Sequence, residues 1–171
     1  MNEAQLLMYL LSRKKNESVI GATKDEMCSK LGLTGRNGDY KFWNLLREFN
    51  QSLFTMGLTI KHNPVNNHWF VGFQEKMDSR FAGTMPTLTP RLAATLFTIL
   101  LLYLGKTSKI TSAKVTELRE KQDISRDLGD LEQLGYITSD KDVIVLTPKV
   151  FYFIDVNELI ERIKQFKYSS I

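Results

Sequence analysis

The chain contains the same short element twice, with an offset of 78 residues. In each copy an amphipathic helix is stopped by a glycine, and the next residues alternate as a β-strand. The matching positions are Leu53, Met56, Gly57, Leu58 and Ile60 in the first copy and Leu131, Leu134, Gly135, Tyr136 and Ile137 in the second. This spacing predicts one small α+β unit that was built twice. A chain of 171 residues accommodates two such domains of about 75 to 85 residues each.

The first copy belongs to a segment that predicts three helices followed by a β-hairpin. Apolar residues at helical spacing predict a first helix over 3–13, and a capping box of Thr23 and Glu26 opens a second helix. Asp39 is the predicted N-cap of a long third helix. The inward stripe of that helix is Phe42, Leu46, Phe49, Leu53 and Met56. Alternating residues on either side of a turn at 63–67 predict the hairpin.

The second half repeats this order. Thr89 and Pro90 open a long apolar helix, a short helix ends at Arg119, and a third helix precedes a second hairpin. The inward stripe of the third helix is Ile124, Leu128, Leu131 and Leu134. Three helices and a hairpin form the order of a winged helix. The predicted fold is therefore α+β and mainly α. It comprises two tandem winged-helix domains, 1–74 and 88–171, a linker at 75–87, and a C-terminal helix over 156–166.

Charge and composition narrow the class of protein. The net charge is +4, and the basic residues are spread among nearly as many acidic ones, which permits contact with nucleic acid without requiring it. The one short basic cluster, 13–15, is predicted to be a solvated helix end. The first residues include Glu3 and lack a basic leader, and the apolar run 92–104 is too short to cross a bilayer. The chain is therefore predicted to be cytoplasmic, without a membrane segment.

The residues predict neither an enzyme nor a bound cofactor or metal. Cys28 is the single cysteine, and His62 and His68, the only histidines, fall short of the three or four ligands that zinc takes. Both histidines are predicted at solvent-facing strand positions. A Gly-rich phosphate loop, a nucleophile elbow and a zinc-binding His-Glu-x-x-His helix are all absent from the sequence.

The two third helices differ in how well they suit DNA. The outward face of a DNA-reading helix presents Arg, Lys, Asn or Gln. In the second copy Arg126 stands among acidic residues that are predicted to form a solvated face and to repel phosphate: Asp123, Asp127, Asp130 and Glu132. The first copy has more donors and fewer acids. The candidate residues for a dimer contact or a weak DNA contact are Lys41, Trp43 and Arg47, with Trp43 better suited to a protein interface.

The helix over 92–104 is apolar on nearly every side, so it is expected to be covered on both faces. One face packs in its own domain. The other meets the first domain, the terminal helix or another chain. The aromatic cluster at 151–153 is either core or a groove for a partner helix.

Several strings of the second half match one family. They are Leu88-Thr89, the apolar helix to Leu104, Ile110-Thr111, Val115 to Leu118-Arg119, Leu128-Leu131-Gly135-Tyr136-Ile137, and Thr147 through Phe151 and Phe153. This half resembles segregation and condensation protein B (ScpB), the tandem winged-helix partner of the kleisin in SMC complexes. The first half is similar only in its order of elements. The chain departs from the family pattern at two places. Glu120 replaces the Gly that in the family usually follows the Arg at the end of the second helix, and a short turn at 139–142 replaces a wing rich in Gly and Pro.

The resemblance implies a non-enzymatic adaptor, cytoplasmic and nucleoid-associated, that binds an ScpA-like kleisin and through it SMC, and so supports chromosome organisation and segregation. It further implies that the first domains pair into a homodimer and that the kleisin lies across the second domain. The implied contact residues are Phe97, Leu101, Tyr103, Leu104, Phe151 and Tyr152. The alternative is a winged-helix transcription regulator that binds DNA through its first domain.

Overall fold

Helices and short antiparallel strands alternate in the computed structural model, which describes residues 2–16, 19–74, 88–120, 123–155, 158–161 and 165. The chain divides into two units, Met1–Met85 and Pro86–Ile171. The predicted linker, 75–87, lies outside the described residues. The mixed α and β composition agrees with the predicted fold class at this level.

The first unit follows the predicted order, with extra short strands after the first helix. Its elements are α1 (Glu3–Ser12), β1 (Lys14–Asn16), β2 (Val19–Ile20), β3 (Ala22–Thr23), α2 (Lys24–Leu31), α3 (Gly38–Phe54), β4 (Leu58–Asn63) and β5 (His68–Phe73). Strand β5 lies between β3 and β4 in a three-stranded antiparallel sheet. The predicted capping box of Thr23 and Glu26 is confirmed at the start of α2. A core of α1, α2 and α3 side chains holds the unit together, with Leu7, Met27 and Phe42 fully buried.

The second unit has the same succession of three helices and a hairpin. Its elements are α4 (Pro90–Leu104), α5 (Ser112–Arg119), α6 (Ser125–Gln133), β6 (Ile137–Asp140), β7 (Val143–Leu146) and α7 (Val150–Phe153). Helix α4 packs on α5 and α6. Residues 158–161 are helical, whereas 156, 157, 162–164 and 166 of the predicted terminal helix lie outside the described residues.

The two copies share a turn that the sequence predicts. Gly57 and Gly135 both have left-handed backbones, with φ of 75° and 74°, at the step from helix to strand. A side chain that follows each hairpin then returns to the end of the third helix. Gln74 Nε2 donates to the carbonyl of Phe54 at 2.8 Å, and Lys149 Nζ donates to that of Leu134 at 2.7 Å. The repeat therefore extends to contacts that sequence similarity does not reveal.

In both hairpins, a side chain of the third helix also accepts a hydrogen bond from a backbone N–H of the first strand. In the first unit, Asn50 Oδ1 accepts from the backbone N–H of Ile60 at 2.7 Å and from Thr59 Oγ1 at 3.2 Å. In the second unit, Glu132 Oε1 accepts from the N–H of Ser139 at 2.9 Å. Because these donors are occupied, they are not available to a strand of another chain at those positions.

Three predictions about helix ends are wrong. Helix α3 begins at Gly38 behind Asn37, and the predicted cap Asp39 instead pairs with Lys24, at 3.0 Å between Oδ1 and Nζ. Helix α3 also ends at Phe54, so Met56 lies beyond it and is 57% exposed. Leu134 is 40% exposed for the same reason, since α6 ends one residue before it.

The basic cluster at 13–15 is not a solvated helix end, as the sequence predicts, because α1 stops at Ser12. Arg13 and Lys15 bind the carboxylate of Glu26 at 2.9 and 2.5 Å. Burial acts to raise the pKa of Glu26, but hydrogen bonds from Lys15 and the Thr23 N–H and the charges of Lys15 and Arg13 outweigh it, and the pKa falls to about 2. These ion pairs therefore connect the segment 13–15, which follows α1, to helix α2.

Glu120 occupies a backbone conformation that glycine favours. It follows α5 with φ of 51° and ψ of 36°, and its N–H donates to the carbonyls of Thr116 and Glu117. An L-residue in this region costs about 1 kcal/mol relative to glycine, which is partly offset by the greater freedom of glycine in the unfolded chain.

We expect Glu120→Gly to stabilise the second unit by about 0.5 kcal/mol, measured by urea unfolding. Gly32→Ala is the reciprocal control, because Gly32 caps α2 at φ of 69° with nothing within 4 Å of an added Cβ; we expect it to destabilise. A loss of stability in Glu120→Gly would contradict this account.

Candidate partner-binding surface

One face of α4 forms an accessible apolar ridge. The α4 ridge comprises Ala93, Phe97, Leu101 and Leu104, which follow one another at helical spacing on the same side. Phe97 is 39% and Leu101 is 41% exposed, Ala93 is exposed and Leu104 is half-buried. The opposite face is buried within the unit through Leu92, Thr95, Leu96, Ile99 and Leu100. The helix therefore has one core face and one face that is available to another molecule.

The α4 ridge carries no charge. Arg91 is the single charged residue of α4, and it points towards α6. Its Nη1 lies 3.1 Å from Asp127 Oδ1, and its Nη2 lies 2.7 Å from Asp130 Oδ2. Thr95 Oγ1 donates to Asp127 Oδ2 at 2.8 Å. The prediction of a solvated acidic face on the third helix is thus wrong for Asp127, which is 3% exposed.

The predicted aromatic contact residues lie at different depths. The rings of Tyr103 and Phe151 meet with centroids 5.7 Å apart, which links α4 to α7. Phe151 is only 4% exposed, and Tyr103 and Tyr152 are half-buried. Phe153, which is not among the predicted contact residues, is 43% exposed. Phe151 therefore supports the surface from beneath, while Phe153 and the α4 ridge present their side chains to solvent.

Trp43 of the first unit joins α3 to the hairpin. It makes edge-to-face contacts with Phe42 at 5.2 Å and with Trp69 at 5.5 Å between ring centroids, and 44% of it stays exposed. Lys24 Nζ lies 5.5 Å from the Trp43 ring. Such a cation-aromatic contact is favourable by about 0.5 to 1 kcal/mol at an exposed site. The position of Trp43 outside the apolar stripe is confirmed.

Lys41 and Arg47, the other two candidate contacts on α3, are both exposed. They lie six residues apart, so they point to different sides of the helix. Arg47 Nη2 donates to Asn44 Oδ1 at 3.1 Å, which fixes its direction. Trp43 lies one helical turn before Arg47 on the same side of α3, whereas Lys41 lies on another side, so the structure does not assemble all three into one site.

The histidines and the cysteine have ordinary structural surroundings. His62 faces Trp69 across the hairpin, with ring centroids 4.7 Å apart, and burial lowers its pKa. His68 is buried, contrary to its predicted solvent-facing position, and its Nδ1 lies 2.8 Å from the carbonyl of Asn66. Burial raises the pKa of Cys28, which disfavours the reactive thiolate. Within the described residues, no three His, Cys, Asp or Glu side chains are grouped closely enough to hold a metal ion.

No helix among the described residues combines the length and apolar character that crossing a membrane requires.

The chain matches no protein-family model, and it matches no curated protein sequence. Among solved structures it is similar to the crystal structure of ScpB from Mycobacterium tuberculosis, with 18% identity, a TM-score of 0.31, and coverage of 87% of this chain and 91% of that one. Identity and TM-score are both low, and the similarity concerns the general fold alone.

Proposed function

We propose that the protein is a non-enzymatic adaptor built from two tandem winged-helix domains, 1–74 and 88–171, joined by a linker at 75–87. The repeated order of three helices and a hairpin supports this reading, together with the matching left-handed glycines at 57 and 135. The second domain binds a segment of the kleisin of an SMC complex, and the first domains pair the adaptor into a homodimer. In this role the protein works in the cytoplasm at the nucleoid and supports chromosome organisation and segregation.

The α4 ridge carries the proposal. An uncharged strip formed by Ala93, Phe97 and Leu101 at i, i+4 and i+8 is about 12 Å long, the length of two helical turns. A surface of this shape suits the apolar face of an amphipathic segment better than a charged ligand. Phe153 and the half-buried Tyr103 and Tyr152 add aromatic area, and aromatic residues are enriched in protein interfaces.

Helix-on-helix packing is the binding mode that this unit favours. The hydrogen bond from Ser139 to Glu132 occupies one donor of β6, and an isolated bridge between Thr111 and Val143 occupies part of β7. A partner that added a strand at those positions would have to displace these contacts. The α4 ridge needs no such rearrangement.

The family resemblance supports the identity of the partner. In the family, glycine follows the Arg that ends the second helix, which is Arg119 in this chain. Glu120 stands at the next position and has the left-handed backbone for which glycine is the usual residue. The matched strings also include the α4 helix itself, which carries the α4 ridge.

Co-expression with the kleisin of the same genome tests the proposal. We expect the two chains to elute together in size-exclusion chromatography with mass detection, at a mass that contains two copies of the adaptor. Separate elution at micromolar concentration would count against the kleisin as partner. An adaptor that elutes as a monomer would count against pairing of the first domains.

A further inference from the structure

Two lysines follow the α4 ridge directly along the chain. The lysine pair comprises Lys106 and Lys109, which lie in the connection between α4 and α5 and are both exposed. The Cα atoms of residues two positions apart lie within about 7 Å of each other, so Lys106 stands close to Leu104, where the ridge ends. The segment 105–111 contains no acidic residue. The apolar ridge therefore has a cationic end.

The charges of the lysine pair are not neutralised within the unit. Neither lysine forms an ion pair with a carboxylate of the residues that the structure describes. Asp142 reaches this part of the unit, where it accepts a hydrogen bond from Ser112 Oγ. Lys114 adds a further cation, since its Nζ donates to the carbonyl of Lys109 at 3.0 Å, and Glu117 lies one helical turn after it. The uncompensated positive charge is therefore concentrated in the lysine pair.

Backbone hydrogen bonds hold the connection that carries the lysine pair. The N–H groups of Gly105, Lys106 and Thr107 donate to carbonyls of the last turn of α4 at 2.9 to 3.1 Å. At the other end of the connection, the carbonyl of Ile110 accepts from the N–H of Ile144 at 2.8 Å. The last carbonyls of α4 therefore have backbone partners, and the lysine side chains are not needed to cap the helix. A preorganised backbone also loses less entropy when a partner binds.

The N-terminal end of α4 has the opposite sign. The guanidinium of Arg91 lies 3.1 Å from Asp127 and 2.7 Å from Asp130. One cation and two carboxylates give this group a formal charge of −1. Thr89 and Pro90, which precede it, are uncharged. A ligand that lies along the α4 ridge therefore meets an acidic group at one end and a basic pair at the other, and the two ends distinguish the two directions in which it could lie.

We propose that the segment bound on the α4 ridge is an amphipathic helix with acidic residues at one end, and that this end lies over the lysine pair. The inference rests on the proposed kleisin binding and specifies the chemistry of the kleisin segment. A helix of about 14 residues spans about 21 Å, which covers the ridge and one turn beyond it. Apolar contacts with the ridge supply affinity, while opposite charges across the interface fix the direction of the segment and accelerate association.

Titration calorimetry of the full chain with the purified kleisin of the same genome tests the inference. Lys106→Glu with Lys109→Glu replaces two attractions by repulsions, and we expect the affinity to fall about tenfold. The affinity of the unsubstituted chain should fall as salt rises from about 50 to 500 mM, whereas that of the double variant should not. The control is Lys30→Glu with Lys141→Glu, which changes the net charge equally at two exposed lysines elsewhere. We expect this control to stay within about twofold of the unsubstituted chain.

Equal affinities of the two double variants would overturn the inference, because total charge and not the lysine pair would then govern binding. Binding of the unsubstituted chain that is insensitive to salt would also overturn it. If Phe97→Asp loses the kleisin while both double variants bind it equally well, the α4 ridge stands as the binding surface and the acidic end does not. Absence of kleisin binding, or full binding by Phe97→Asp, would overturn both proposals. Circular dichroism checks that each exposed substitution leaves the fold intact.

Discussion

Replacing Arg91 by alanine is expected to destabilise the second unit by about 2 to 3 kcal/mol. Asp127 is 3% exposed and lies 3.1 Å from the guanidinium of Arg91. Loss of that guanidinium leaves a desolvated carboxylate without its cation, and this is much more costly than loss of a surface ion pair. The value lies below the range of about 3 to 5 kcal/mol for a fully buried pair, because the Arg91 side chain is itself 39% exposed.

Thermal unfolding measures the effect of Arg91→Ala. A loss of 2 to 3 kcal/mol corresponds to a fall in Tm of about 10 °C or more for a domain of this size. Arg126→Ala is the matched control, since Arg126 is an exposed arginine on α6, and its substitution should change stability by less than about 0.5 kcal/mol.

A double variant separates charge burial from simple loss of packing. Arg91→Met with Asp127→Leu replaces both charges by apolar side chains, and such replacements are often neutral or stabilising. Thr95 keeps a partner in this variant, because its single hydroxyl hydrogen can turn from Asp127 to the backbone carbonyl of residue 91, which lies 3.2 Å from Oγ1. We expect the double variant to recover most of the loss. A double variant as unstable as Arg91→Ala would show that the buried charges do not determine the effect.

Placing a carboxylate on the α4 ridge is expected to abolish tight kleisin binding. Phe97→Asp and Leu101→Asp each put a charge where the proposed partner excludes water, and each should weaken binding by about 2 kcal/mol or more, roughly 30-fold. The free adaptor should remain folded because both side chains are about two-fifths exposed. Titration calorimetry with purified kleisin measures the change.

The control for the α4 ridge is Leu118→Asp. Leu118 is 58% exposed on α5 and lies outside the α4 ridge, so this variant makes the same kind of change at a different place. We expect its affinity for the kleisin to stay within about threefold of the unsubstituted chain. If Phe97→Asp and Leu101→Asp bound the kleisin as well as Leu118→Asp, the α4 ridge would not be the binding surface.

The elements that sequence reasoning predicts correctly are those determined by local chemistry. Thr23 and Thr89 open helices α2 and α4, because their side-chain oxygens accept from N–H groups of the first turn. Glu26 accepts from the N–H of Thr23 in return, and Pro90 has no N–H that needs a partner. Gly57 and Gly135 end helices because glycine adopts the left-handed turn without strain. Each of these signals depends on residues within one helical turn.

The errors concern residues whose surroundings are set by distant partners. Asp39 has the residue type of an N-cap, but Lys24, fifteen positions earlier, attracts its carboxylate. Asp127 and Asp130 look like a solvated acidic face, yet Arg91, more than thirty residues away, draws both inward. The spacing of the two aspartates by three residues was a usable signal, because it places them on one side of a helix facing a common cation.

The α4 ridge could be predicted only in part. The composition of α4 shows that it has more apolar surface than one core face needs, but its few polar residues do not lie on the outer side and so do not mark it. Thr95 and Thr98 are buried, and their hydroxyls donate to Asp127 and to the carbonyl of Ala94, so even the polar positions mislead. Phe153 was missed because the depth of Phe151 and Phe153 depends on the four-residue helix α7.

A photo-crosslinking amino acid placed at position 97 is the most direct test of the claim that the α4 ridge binds the kleisin. In the co-expressed complex, the account predicts a covalent adduct with the kleisin from position 97 and none from position 118. An intact complex that crosslinks from position 118 but not from position 97 would contradict it.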